Sequence, residues 1–137
     1  MIDIAGAASA AVLTLLSAIH IYWAFGGKSG TAAVVPTVNG RPSISPSTGA
    51  TLTVALLLAV AASLVVGTVA DWDPRPLFRL GSAGVGVVLL ARAIGERRYI
   101  GFFKRVRDTP FARRDTFVYS PLCLLLSAGI LAAAIAA

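Results

Sequence analysis

The feature that most constrains this chain is the length of its uncharged apolar stretches. No Asp, Glu, Lys or Arg lies between Asp3 and Lys28, and residues 48–70 and 117–137 are equally free of these side chains. A helix needs about 20 mostly apolar residues to cross the hydrocarbon core of a bilayer. These stretches reach that length and therefore predict membrane-spanning helices.

Composition supports the same interpretation. Of 137 residues, 57% are hydrophobic and 13% are charged, whereas an average soluble domain has about 25% charged residues. This balance excludes a small soluble globule, which needs polar residues to cover its surface. It also excludes a disordered chain, which needs low hydrophobicity. A single cysteine, Cys123, excludes an intrachain disulfide framework and a zinc site with several cysteines.

A third span is predicted between the second and fourth apolar stretches. Arg79 and Arg92 bracket the uncharged residues 80–91, so this segment spans only if Arg79 extends to the interface and Arg92 is tolerated inside. The predicted fold is an all-α integral membrane protein, a bundle of four transmembrane helices in one domain, residues 1–137. The predicted spans are residues 4–25, 48–70, 76–95 and 117–137.

Turn residues predict where the helices begin. Gly and Pro residues interrupt the chain over 26–47, and Ser47 or Thr48 is a suitable N-cap for the second span. Pro121 predicts that the regular part of the fourth helix begins there, with Ser120 as its N-cap.

The distribution of basic residues predicts the orientation. Four spans place loops 26–47 and 96–116 on one side, with nine basic residues, against Arg75 and Arg79 on the other. Basic loops stay in the cytoplasm, so we expect both termini outside. Because this charge lies beside the membrane, we expect anionic headgroups as partners and no nucleic acid. Within Arg97–Arg107 the apolar residues follow helical spacing, which predicts a short amphipathic helix in the interface or, alternatively, a simple topology determinant.

Polar residues at similar depth suggest a pocket on the cytoplasmic side. His20 lies near the end of the first span, and Arg92 lies near the end of the third with Glu96 one turn further on. The four-residue spacing of Asp115, Tyr119 and Cys123 predicts that they share a helix face. Arg92, His20 and a buried helix N-terminus would suit a carboxylate or phosphate on an apolar tail.

Each of these residues also has a structural interpretation. Arg92 and Glu96 could neutralise each other, and His20 could bond a neighbouring helix. Aromatic side chains near the span ends fit an interfacial belt; these are Tyr22, Trp23 and Tyr99. One His and one Cys do not make a recurring metal site, so none is predicted, and the cofactor, including haem on His20, stays open.

Several short motifs resemble a bacterial family of small four-span membrane proteins of unassigned function. They are His20-Ile-Tyr-Trp-Ala-Phe-Gly-Gly27, Arg92-Ala-Ile-Gly95, Tyr99-Ile-Gly-Phe-Phe-Lys-Arg105, Phe111-Ala-Arg-Arg-Asp-Thr116 and Tyr119-Ser-Pro-Leu-Cys123. The resemblance covers most of the chain and implies four helices in a bacterial inner membrane. It implies no activity.

The leading functional hypothesis is a protein that binds, and in one version moves, an amphiphile with an anionic head. Arg92 would hold the head, His20 and Tyr119 would orient it, and Lys104 and Arg107 would attract it. The full predicted site is His20, Trp23, Arg92, Glu96, Tyr99, Lys104, Arg107, Asp115 and Tyr119.

Two alternatives stay open. The first is a membrane enzyme acting on a lipid, quinone or isoprenoid, in which His20 would be the general acid and base. The second is an accessory subunit that pairs with another membrane protein, or with its own copy, through faces of small residues.

Overall fold

Four long helices make up most of the chain. A computed structural model describes residues 1–28, 37–38, 41–42, 47–96 and 100–137. The helices are α1 (Ile2–Ala24), α2 (Thr48–Val69), α3 (Arg75–Ile94) and α4 (Pro110–Ala136). All four are long and apolar enough to cross a membrane, which confirms the all-α, four-span fold class. Two short strands, β1 (Thr37–Val38) and β2 (Arg41–Pro42), pair antiparallel between α1 and α2.

Local capping sets the start of α2 and α4. The Ser47 hydroxyl accepts a hydrogen bond from the Ala50 N–H at 3.1 Å, so Ser47, one of the two predicted candidates, is the N-cap of α2. The prediction for the start of α4 is confirmed only in part: regular α-helical structure runs from Ser120, next to Pro121, but the helix already begins at Pro110 and Ser120 is not its N-cap. Thr109 caps α4 by accepting from Ala112 N–H at 3.0 Å, and Pro110 takes the first helical position, where its missing N–H costs nothing.

The predicted amphipathic helix over 97–107 does not form in its described part, because residues 100–109 are turns and bends. Residues 97–99 lie outside the described residues. The loop instead folds back on the end of α3, where the Phe102 N–H donates to the Ala93 carbonyl at 2.8 Å. Helical spacing of apolar residues was therefore not sufficient evidence for a helix here.

The helices pack in chain order around a square. The pairs α1–α2, α2–α3, α3–α4 and α4–α1 pack, and α1 lies diagonally across from α3. The centre is filled by small and branched side chains from α1, α2 and α4: Ala10, Leu13, Ala62, Val65, Leu126 and Ile130. Most Leu and Val side chains of the outer faces are exposed, as expected for surfaces that contact lipid.

Two hydrogen bonds set the register of α3 against α4. The Ser127 hydroxyl donates to the Gly86 carbonyl at 2.8 Å, and the Arg79 Nε donates to the Ala134 carbonyl at 3.0 Å. The two bonded residues of α3 are seven positions apart, and so are the two bonded residues of α4. This equal spacing is typical of closely packed antiparallel helices. The same register brings the buried Ala93 level with Ser120.

Small residues set the register of α1 against α4. A Cβ on Gly6 would lie 3.1 Å from the Ala133 Cβ, and one on Gly129 would lie 3.0 Å from the Ser9 hydroxyl. Such close approach is how helices pack in lipid, where contact replaces the hydrophobic effect. Continued along both helices, this register places His20 level with the Tyr119–Ser120 turn of α4.

The bundle has two ends, which we name by their connections. At the loop end α1 and α3 finish and α2 and α4 begin; at the turn end residues 70–74 connect α2 to α3. The turn is short, and Asp71 adopts a left-handed backbone conformation with φ of 58°. The polar residues predicted to form a site lie towards the loop end.

Candidate functional site

A fully buried carboxylate, that of Asp115 in α4, organises the loop end. Its Oδ1 accepts from Arg92 Nη2 at 2.8 Å, and its Oδ2 accepts from the Gly101 N–H at 2.7 Å. The Lys104 ammonium lies 3.1 Å from Oδ2 and also donates to the Gly101 carbonyl and the Thr116 hydroxyl. Neither Asp115 nor the Lys104 side chain is exposed. We call Arg92, Lys104 and Asp115 the charge cluster.

Two glycines allow the loop to reach Asp115. Gly95 and Gly101 have φ of 81° and 86°, a region that residues with a side chain rarely adopt. A Cβ on Gly95 would overlap the Ile100 carbonyl, and one on Gly101 would overlap the Ile94 carbonyl. The backbone before and after this loop is therefore in close contact, which directs the Gly101 N–H towards the carboxylate.

A π-helical turn positions Asp115 within α4. Residues Asp115–Tyr119 form this turn, and the Ser120 N–H donates to the Asp115 carbonyl five residues back. Because of the extra residue in the turn, Asp115 shares the fully buried face with Ser120, and Ser127 continues that face. Tyr119 and Cys123, which were predicted to share a helix face with Asp115, are partly buried. Such turns are frequent at functional sites.

The charge cluster has an excess of one positive charge, because two cations meet one carboxylate. Among the described residues, two buried side-chain atoms have no hydrogen-bond partner: Arg92 Nη1 and Ser120 Oγ. A buried donor without a partner costs about 1–3 kcal/mol. Of the three charged side chains, only that of Arg92 reaches the surface, with 29% of it exposed. The cluster therefore retains the capacity to bind one further acceptor at Arg92.

His20 and Trp23 lie near the end of α1, towards the loop end of the bundle. The His20 Nδ1 donates to the Leu16 carbonyl at 2.7 Å, since a carbonyl can only accept. The indole of Trp23 packs edge-on against this ring at 5.1 Å between centroids. Because α1 is diagonal to α3, His20 and Arg92 lie on two helices that do not pack on each other.

The basic residues of the loop have roles different from those predicted. The Lys104 side chain is buried against Asp115, so it does not contact a ligand at the surface. Arg107 donates to the Lys104 and Phe102 carbonyls at 3.0 and 3.1 Å and so braces the loop. Glu96 is exposed, and the Arg92 guanidinium binds Asp115 at 2.8 Å. Tyr99 lies outside the described residues.

Other predicted side chains form local contacts. The Tyr119 ring packs against Phe111 at 6.0 Å between centroids, within the start of α4. Within the described part of the chain, His, Cys, Asp and Glu side chains form no group of three or more that could hold a metal.

Sequence reasoning missed the contributions of Gly95, Gly101 and Ser120. Ser120 was expected only as an N-cap, but it lies inside α4 and is fully buried. Ser120, Ser127 and Ala134 follow one another at intervals of seven residues. This spacing could have indicated that Ser120 is buried, because a stripe of small residues indicates a packed helix face. The two glycines belong to the motifs noted above, and their spacing carries no information about a buried carboxylate.

Comparison with known proteins identifies a family but adds no activity. None of the curated proteins and none of the solved structures compared with the chain matches it. One family model matches residues 13–130, a range that includes all the residues of the charge cluster and most of the four helices. The chain belongs to that family, which is described as protein of unknown function (DUF3995).

Proposed function

We propose that the loop end binds the anionic head of an amphiphile at Arg92. The observation that carries this proposal is the excess positive charge of the charge cluster, with Arg92 Nη1 buried and without a partner. An anionic oxygen would give this atom an acceptor and balance the second cation. Charge-assisted hydrogen bonds of this kind are among the strongest in proteins.

The surroundings of Arg92 support an amphiphile rather than a free anion. Arg92 lies in the last turn of α3, a helix whose outer side chains, such as Val88 and Ile94, are exposed as lipid-facing surface. The apolar tail of an amphiphile could pack along this surface while its head binds the Arg92 guanidinium. The Ser120 hydroxyl, on the same face of α4 as Asp115, would be a second donor.

An indole placed on α3 one turn before Arg92 allows a direct test, because Val88 is an exposed position of the surface proposed for the tail. With Trp23 and Trp72 both changed to Phe, Val88→Trp makes this indole the only one in the chain. We expect brominated phosphatidylglycerol in nonionic micelles to quench it at about tenfold lower mole fraction than brominated phosphatidylcholine, the ratio that about 1.4 kcal/mol of headgroup binding gives.

Arg92→Gln should abolish this preference, leaving Lys104 and Asp115 as a neutral pair. Arg105→Gln is the matched control, since Arg105 is exposed on the same loop and carries the same charge. It should change the preference by less than about twofold, as expected for a screened surface charge. Equal quenching by the two lipids in the parent, or an equal loss in both variants, would show that Arg92 does not bind the head.

The enzyme alternative also has one supporting observation. Since His20 Nδ1 donates to Leu16, the neutral ring carries its lone pair on Nε2, the form required of a general base. His20→Gln should leave phosphatidylglycerol binding unchanged in either case. Loss of turnover of an added lipid, quinone or isoprenoid in that variant would identify an enzyme. Native mass spectrometry of the parent would detect a stoichiometric membrane partner, the outcome expected of an accessory subunit.

A further inference from the structure

A groove opens at the turn end, far from the charge cluster. It has a volume of about 580 Å³ and lies between the end of α2, the start of α3 and the end of α4. This volume is within the usual range for small-molecule sites, about 300–1,000 Å³. Its principal lining residues are Thr68, Trp72, Arg75, Arg79, Ala83 and Ile135.

Arg79 is held at the wall of this groove by a bond that uses only one of its nitrogens. The Nε donates to the Ala134 carbonyl at 3.0 Å, near the end of α4, where carbonyls lack helical partners. The two terminal nitrogens of the guanidinium remain as donors in a fixed orientation. Within the described part of the chain Arg79 has no carboxylate at ion-pair distance, whereas Arg75 pairs with Asp71 at 2.7 Å.

The groove also has an apolar side that continues onto the outer surface of the bundle. Leu80 and Ile135, both lining residues, are 74% and 77% exposed. Trp72 is half-exposed and packs edge-on against Phe78 at 5.8 Å between centroids. Arg79 lies one turn inside the start of α3, a depth at which arginine side chains reach the headgroup region.

We propose that this groove binds a phospholipid, with its phosphate on Arg79 and the first part of its acyl chains along Leu80 and Ile135. The forked donors of arginine fit phosphate oxygens better than a point charge does. The apolar walls fit an acyl chain but not a free phosphate, which would leave them in water. The site is separate from the one at Arg92 and does not depend on it.

The test uses a Trp23→Phe background, in which Trp72 reports on the groove. In dodecyl maltoside micelles, brominated phosphatidylcholine should quench Trp72 at about tenfold lower mole fraction than brominated diacylglycerol, which has the same chains but no phosphate. In Arg79→Gln the two lipids should quench Trp72 at the same mole fraction. Arg105→Gln removes the same charge at an exposed position of the loop end, outside the groove, and should preserve the difference.

A second variant covers the case in which Arg79→Gln does not fold. Ala83→Leu fills the groove without changing charge and should weaken quenching by both lipids about equally. Equal quenching by the two lipids in the background protein, or full quenching in Ala83→Leu, would overturn the proposal. Because the reporter here is Trp72, at the turn end, the outcome is independent of the phosphatidylglycerol experiment at the loop end.

Discussion

The two ends of the bundle both carry an ion pair between an aspartate and an arginine, at nearly equal distances. At the turn end Arg75 and Asp71 lie 2.7 Å apart with 63% and 56% of their side chains exposed. At the loop end Arg92 and Asp115 lie 2.8 Å apart, and the aspartate is fully buried. The distance between the charged atoms therefore does not distinguish the two ion pairs, whereas the exposure of their side chains does.

Burial determines what each pair contributes. An exposed pair is screened by water and salt and contributes about 0–1 kcal/mol. A buried carboxylate must be compensated completely, and Asp115 has a backbone N–H and two cations to do so. We infer that the loop end depends on its aspartate for folding, while the turn end could lose its own with little effect.

The largest effect should come from Asp115→Asn. It leaves Arg92 and Lys104 without a counter-charge, and removing one partner of a buried pair costs about 3–5 kcal/mol. The measurement is the free energy of unfolding in mixed micelles as the denaturing detergent is increased.

Adding Lys104→Met to Asp115→Asn should restore part of the loss, because it removes one uncompensated buried cation. A coupling of about 0.5–3 kcal/mol is expected for residues in contact. If the two changes were additive, Lys104 and Asp115 would not act as a pair.

A smaller effect is expected from Gly101→Ala. The left-handed backbone at Gly101 and the overlap with the Ile94 carbonyl should destabilise the loop end by about 1–3 kcal/mol. Thermal unfolding in detergent measures the loss.

Gly84→Ala is the matched control, because a Cβ there meets nothing within 4 Å and the position is helical. It should stabilise α3 slightly, since Ala is favoured over Gly in a helix by about 1 kcal/mol. A Gly101→Ala protein as stable as the parent would mean that the loop does not need the observed backbone conformation.

The smallest effect should come from Asp71→Asn. Asparagine tolerates the left-handed backbone found at Asp71, so the change removes the charge and keeps the turn. The unfolding free energy should fall by less than about 1 kcal/mol, and the difference should vanish at high salt. A loss comparable to that of Asp115→Asn would remove the distinction between the two ends.

The helices themselves followed from simple features of the sequence. Uncharged apolar length predicted three spans, and the remaining one, α3, was predicted on the condition that Arg79 and Arg92 are tolerated near its ends. Ser47 was one of two residues predicted to cap the second span. The start of α4 was missed because Arg113, Arg114 and Asp115 were taken as a sign of a loop. The Thr109-Pro110 cap begins a helix there nevertheless, and the charge cluster compensates Asp115 within it.

The site was only partly predictable for a similar reason. Arg92 was selected because ionisable residues inside a span are costly, and Asp115 because of its four-residue spacing to Tyr119 and Cys123. Their pairing was not predicted, since it depends on a π-helical turn in one helix and a glycine-dependent loop after another. The burial of Lys104 was not predicted, because sequence gives the charge of a residue but not its burial.

The sequence by itself determined that this protein spans a membrane with four helices, because apolar length and the scarcity of charge are properties of the chain alone. Only the tertiary structure decided which charges compensate one another, because that depends on backbone geometry that brings residues 92, 101, 104 and 115 together. The same geometry left Arg92 at the loop end and Arg79 at the turn end with hydrogen-bonding capacity, and both proposed sites follow from that capacity.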